Sequence, residues 1–221
     1  MGQLFPGIIA VFGIAFTYFA VENYLADGVL STATFVLETW NGAQLGQQLF
    51  LFGLCVGVGM FIHGLHWASL GALECRIRGS AFNSYWHDKL LIVQVLLGPI
   101  KLVRETTELF FFTKHIRDTR LEENVPEIHK DHMPHFEFVQ DFYLYFAQFF
   151  AHTAYAILVI VGTVATYIVA YGFTPRRLCL LGISYLLSGL FFVLGRIQLN
   201  SLFFAETELA KRNPWARILD G

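Results

Sequence analysis

The stretch FYLYFAQFFAHTAYAILVIVGTVATYIVAYGFTP, residues 142–175, contains no charged side chain over 34 residues. Asp141 precedes it and Arg176 follows it. Because a transmembrane helix needs about 20 mostly apolar residues, this stretch is longer than one crossing requires. The sequence therefore predicts a membrane-spanning helix here.

Three more stretches of the same kind lie elsewhere in the chain. Residues 4–21, 42–73 and 178–195 carry no charge, and Arg196 alone interrupts the apolar run that continues to residue 205. The prediction is an all-α polytopic membrane protein with about four transmembrane helices in a single integral membrane domain, residues 1–221. The four spans are expected near residues 4–25, 45–73, 142–172 and 178–205.

The composition of the whole chain agrees with a membrane location. Hydrophobic residues make up 55% of the chain and charged residues only 14%, with a mean hydropathy of +0.53. A soluble domain carries about 25% charged residues. The formal net charge is −2. These values exclude a water-soluble single domain, a disordered chain, and a nucleic-acid binder that works through a basic surface.

Lysine and arginine placement predicts the orientation. Residues 74–141 form a predicted long loop with nine basic residues, whereas the turn between the last two spans has only Arg176 and Arg177. The positive-inside rule then places this loop and both termini on the cytoplasmic or matrix side. Within the loop, residues 90–112 combine a short apolar run with charged positions, which predicts an interfacial or re-entrant helix on that inner side.

Two histidines are expected at the same depth on neighbouring spans. His63 lies ten residues before the inner end of the second span, and His152 lies ten residues into the third, so each is about 15 Å from the inner surface. Ionisable groups inside spans are rare and often functional. One hypothesis is a b-type haem held by His63 and His152, with His66 adjacent and Arg196 paired to a propionate. The alternatives are hydrogen bonds across the bundle, or a quinone or proton-relay role.

A second histidine cluster, HKDHMPH at residues 129–135, is not expected to bind metal. Pro134 interrupts the helix that would align the three histidines, and no cysteine accompanies them. The sequence predicts no metal site.

Small residues spaced four apart predict close helix packing. Such pairs let the backbones of two membrane helices approach closely. They occur in the second and fourth spans, at Gly42 and Gly46, Gly53 and Gly57, and Ser184 and Ser188.

The sequence Phe61-Ile62-His63-Gly64-Leu65-His66, followed by Gly71, resembles a turn in a late helix of cytochrome c oxidase subunit III. Tyr85-Trp86-His87 is similar to that family's next motif, although two predicted spans follow here where that family ends. The resemblance implies a non-catalytic core subunit of a respiratory oxidase without a redox centre of its own.

The expected function is a non-catalytic integral membrane subunit of a larger energy-transducing complex of the respiratory or ATP-synthase type. No phosphate-binding loop, nucleophile elbow or dinucleotide fingerprint is present in the sequence. Expected partners are other membrane subunits and lipids. The expected location is a mitochondrial inner membrane or a bacterial plasma membrane, with no cofactor of its own. The alternatives are a haem b membrane anchor and a small channel or transporter.

Overall fold

The computed structural model of the protein describes residues 4–19, 34, 38, 41–79, 90–111 and 130–211. Within these residues the chain is helical and has no strand, which confirms the all-α prediction for the part described. The helices are α1 (Leu4–Phe19), α2 (Leu45–Gly79), α3 (Leu91–Phe111), α4 (Met133–Tyr171) and α5 (Pro175–Lys211), with a 3-10 turn at Lys130–His132 before α4.

Among the described residues, three helices are long and apolar enough to cross a membrane. Their apolar sections are Leu45–Leu65, Met133–Tyr171 and Pro175–Leu202. In α1 the apolar section is Leu4–Ala15, which is shorter than a crossing needs. Residues 20–25 of the first predicted span lie outside the described residues. The structure therefore supports an integral membrane protein with three candidate spans, and a fourth span stays a prediction.

The long helices extend beyond the predicted spans. α2 has 35 residues, α4 has 39 and α5 has 37, so each is about 50–60 Å long. A bilayer with its headgroups is about 40–45 Å thick. Charge-free runs identify only the section suited to lipid, whereas the backbone hydrogen bonds of a helix continue through polar residues. At the two ends of the predicted 74–141 loop, residues 74–79 belong to α2 and residues 133–141 belong to α4.

α4 and α5 form an antiparallel hairpin with the most extensive packing in the bundle. Gly172 ends α4 with a positive φ of 86°, a conformation that glycine adopts at little cost. Nη1 of Arg177 then donates to the carbonyls of Tyr171 and Gly172, both at 2.8 Å. These bonds satisfy carbonyls that the end of a helix leaves without intrahelical donors.

The main core of the bundle draws on every helix. Ala10, Ile62, Leu102, Ala154 and Val193 are all at most 2% exposed and belong to one cluster. Ser188, predicted as a packing residue, is fully buried in α5 and donates a 3.0 Å hydrogen bond to the carbonyl of Ala154. This bond joins the middle of α5 to the middle of α4.

α3 packs into this core, which a re-entrant helix, one of the two predicted forms, can do and an interfacial helix cannot. A Cβ added to Gly98 would lie 2.9 Å from the Cα of Gly189, near the centre of the apolar section of α5. The hydroxyl of Tyr185 donates a 2.7 Å bond to the carbonyl of Leu96. The prediction rested on the charges of α3, but the apolar half of this helix, around Gly98 and Pro99, decides where it packs.

Proline explains why α3 and α5 meet where they do. Pro99 has no N–H to donate to the carbonyl of Val95 four residues earlier, so this carbonyl loses its usual helical donor. Gly189 packs directly against that carbonyl. Without a Cβ at Gly189, the two backbones can approach closely.

Candidate functional site

The candidate site is a pair of imidazoles that joins α2 to α4. Nδ1 of His63 and Nε2 of His152 are 3.3 Å apart, within hydrogen-bonding distance. One nitrogen donates and the other accepts, depending on the tautomer of each ring. The two rings are in an edge-to-face arrangement, with centroids 5.0 Å apart and planes at 72°. The sequence-based prediction that these two residues share one depth is in agreement with this contact.

The two histidines differ in their surroundings. His152 is 1% exposed, whereas His63 is half-buried. Thr153, next to His152, is also buried and donates its hydroxyl hydrogen to the carbonyl of Phe149 within the same helix. His152 is therefore enclosed by the bundle, and His63 forms the open side of the pair.

Arg196 lies on α5, at a level between His152 and the N-terminal end of α4. Its neighbour Gly195 packs against the Ala147–Ala151 turn, about one helical turn from His152. Arg196 is 8% exposed, and its guanidinium lies 4.9 Å from the centre of the Phe192 ring. The cation–π contact shows how the bundle accommodates a buried cation.

The pair as arranged does not fit a haem held between the two imidazoles. Axial imidazoles on opposite sides of an iron stand about 4 Å apart, taking metal–nitrogen bonds of about 2.0 Å. The observed separation is 3.3 Å, and the rings are in direct contact. A haem would have to separate α2 from α4 at this level. The side chain of His66, the third histidine of the haem hypothesis, lies outside the described residues.

The second histidine cluster lies at the start of a helix, not at an interruption within one. His132 precedes α4, and Pro134 occupies its first turn, a position where proline needs no hydrogen-bond partner. In the part of the chain that the structure describes, no group of three or more histidine, cysteine or acidic residues is placed to hold a metal ion. His129 and the Tyr85-Trp86-His87 motif lie outside the described residues.

Several contacts in the bundle could not be predicted from sequence patterns. The hydroxyls of Thr106 and Tyr155 meet at 3.3 Å between α3 and α4, and Gly7 packs against the backbone of α2 at Cys55 and Gly59. For the packing of α3, the sequence offers Gly98-Pro99, which indicates a local irregularity in this helix but not which helix packs against it.

The glycines that the small-residue pattern singled out in α2 and just before it do not pack closely against another described helix. A Cβ added at Gly42, Gly46, Gly53 or Gly57 would meet nothing within 4 Å.

Comparison of the chain with known protein families, curated proteins and solved structures finds no match.

Proposed function

We propose that this chain is a non-catalytic integral membrane subunit of a larger membrane complex. The supporting observation is the outer face of α2. Gly46, Gly53, Gly57 and Gly64 follow one another at intervals of seven, four and seven residues, which places them within about 40° of one another on a helix. Within the described part of the chain, a Cβ added to any of the four would meet no atom of another element within 4 Å.

This glycine face, residues Gly46, Gly53, Gly57 and Gly64, is opposite the face that packs inside the chain. Cys55 and Ile62, each 2% exposed, belong to the inner face, and Gly7 of α1 packs on it at Cys55. Exposed side chains border the glycines and give the outer surface the form of a groove: Leu49, Phe50, Met60 and Phe61.

Four glycines on one helix face lower the stability of that helix, and contact with a second helix would compensate for the loss. Each glycine in a helix interior is about 0.8–1.0 kcal/mol less favourable than alanine. Contact with lipid chains does not recover this lost free energy. A neighbouring helix can recover it, because the groove lets the two backbones pack closely. Gly7 and Gly189, like three other described glycines, come close to a second helix of this chain. By the same physics, the glycine face is suited to a helix of another subunit.

The energy-transducing character of the complex, in a mitochondrial inner membrane or bacterial plasma membrane, is the finer part of the proposal. It rests on the resemblance of Phe61–His66 to cytochrome c oxidase subunit III. The expected partners are other membrane subunits and lipids, and no haem or other organic cofactor is expected in this chain.

Substitution of the glycine face should release the chain from its complex. We expect the native protein in mild detergent to migrate far above its own 25.1 kDa and Gly53→Leu or Gly57→Leu to shift it toward the single chain. A native gel with mass spectrometry of the co-purified subunits measures this. Gly182→Leu on α5, where a Cβ also meets nothing within 4 Å, is the matched control and should leave migration unchanged.

Two outcomes would contradict this proposal. Either the native chain migrates alone, or both leucine variants stay in the complex. The purified variants should be at least as stable to heat as the native chain, because the substituted positions face away from the bundle and leucine favours a helix more than glycine does. A stability loss in the isolated chain would show that the glycines serve its own fold.

The orientation of α4 can be tested with single cysteines at its two ends. In a chain whose cysteines are replaced by serine, Asp131→Cys should react with an impermeant thiol reagent from the cytoplasmic or matrix side. Phe173→Cys, an exposed position after α4, should react only from the other side. Labelling of both from one side would mean that α4 does not cross, and reversed labelling would invert the proposed orientation.

A further inference from the structure

The His63–His152 pair bridges two helices that otherwise share little surface. α2 packs mainly on α1, and its contact with α4 is small by comparison. The imidazole contact lies at this sparse junction and includes a side chain that is 1% exposed. Whatever is bound between the two rings would therefore hold α2 to α4.

The separation of the two rings, which allows a hydrogen bond, is also compatible with two ligands on one metal ion. In a tetrahedral zinc site with bonds of 2.0–2.1 Å, two imidazole nitrogens stand about 3.3–3.4 Å apart. The observed separation is 3.3 Å. The ring centroids, at 5.0 Å, are closer than an end-to-end N–H···N arrangement with this nitrogen separation would place them. The two ring axes are therefore inclined to each other rather than collinear.

We propose that His63 and His152 form a binding site for a single d-block cation of the kind that imidazole favours, with Zn²⁺ as the reference ion. Nδ1 of His63 and Nε2 of His152 coordinate it as neutral imidazoles. The hydrogen that lies between them moves to the other nitrogen of the ring that carries it, so no net proton is released. The remaining positions are filled by water or by a group of a neighbouring subunit on the half-buried side of His63. This inference is independent of the proposed function, because the ion would bind in the isolated chain.

The test is metal binding to the full-length chain in detergent after chelator treatment. We expect one Zn²⁺ per chain by elemental analysis, and His63→Ala or His152→Ala to weaken binding at least about tenfold. Co²⁺ in place of Zn²⁺ should give visible d–d bands without a sulfur charge-transfer band, because both protein ligands are nitrogen. The matched controls are His132→Ala and His135→Ala, in the other histidine cluster, which should bind as the native chain does.

Several results would overturn the site. They are a native chain that binds no stoichiometric Zn²⁺, a His63→Ala variant with native affinity, or a cobalt spectrum with thiolate bands. A haem absorption band in the isolated protein would overturn it as well. His63 is half-buried, so the His63→Ala variant keeps the test informative if His152→Ala does not fold. Loss of Zn²⁺ binding with retained migration in the large complex separates this inference from the proposed function.

Discussion

Gly189→Leu is expected to separate α3 from α5 and to lower the free energy of unfolding by about 3 kcal/mol or more. Any side chain at this position meets the backbone carbonyl of Val95, and its carbonyl carbon would lie 2.9 Å from the new Cβ. Overpacking a core costs typically about 1–3 kcal/mol when side chains can adjust. The backbone carbonyl of Val95 can move away only if the whole of α3 moves. We therefore expect a loss of unfolding free energy at the upper end of this range.

The same helix supplies the control for this experiment. Gly182 lies seven residues before Gly189, on the same side of α5, and a Cβ there meets nothing within 4 Å. Gly182→Leu should therefore leave stability near that of the native chain. Thermal unfolding in detergent measures both variants. Equal stability of Gly189→Leu and Gly182→Leu would mean that α3 does not pack against α5 at this crossing.

The helices of this protein follow from hydrophobicity, but their partners do not. A charge-free run of 34 residues in lipid forms an α-helix, because each backbone N–H and carbonyl must be hydrogen-bonded within the segment. The run does not show which side of the helix faces which neighbour. Gly53 and Gly189 look alike in the sequence, yet Gly189 packs against α3 while Gly53 meets nothing within 4 Å.

The place of α3 shows a second limit of sequence patterns. Lys101, Arg104 and Glu105 suggest a helix at the membrane surface. Yet Leu102, one residue after Lys101, is 2% exposed in the main core. One helix can present charges on one side and a buried leucine on the other. The charge pattern alone does not fix the depth at which such a helix packs.

The equal depth of the two histidines could be predicted, because the depth of a residue follows from the number of residues between it and the end of its span. His63 and His152 are equally far from the ends of their predicted spans, and a fixed rise per residue converts that into equal depth. The chemistry between them was not accessible in this way. A separation of 3.3 Å rather than about 4 Å distinguishes a hydrogen bond or a shared metal ion from a haem, and only coordinates supply it.

The second large effect is expected at Gly7, where α1 crosses α2. A Cβ on Gly7 would meet the backbone carbonyl of Cys55 and lie 2.9 Å from the amide nitrogen of Gly59. Gly7→Ala should therefore lower the free energy of unfolding by about 3 kcal/mol, although alanine alone would favour the helix by up to about 1 kcal/mol. Thermal unfolding of the purified chain in detergent measures the change.

Gly13, on the same helix, separates a backbone obstacle from a side-chain obstacle. A Cβ at Gly13 would also come too close to an atom, but that atom is at the end of the Ile160 side chain. Isoleucine can change rotamer or shift by a few tenths of an ångström, whereas the Cys55 carbonyl is fixed by its helix. Gly13→Ala should therefore cost much less than Gly7→Ala. If Gly7→Ala lost no more stability than Gly13→Ala, the α1–α2 contact would be loose enough to admit a methyl group. In that case α1 would contribute little to the core around Ala10.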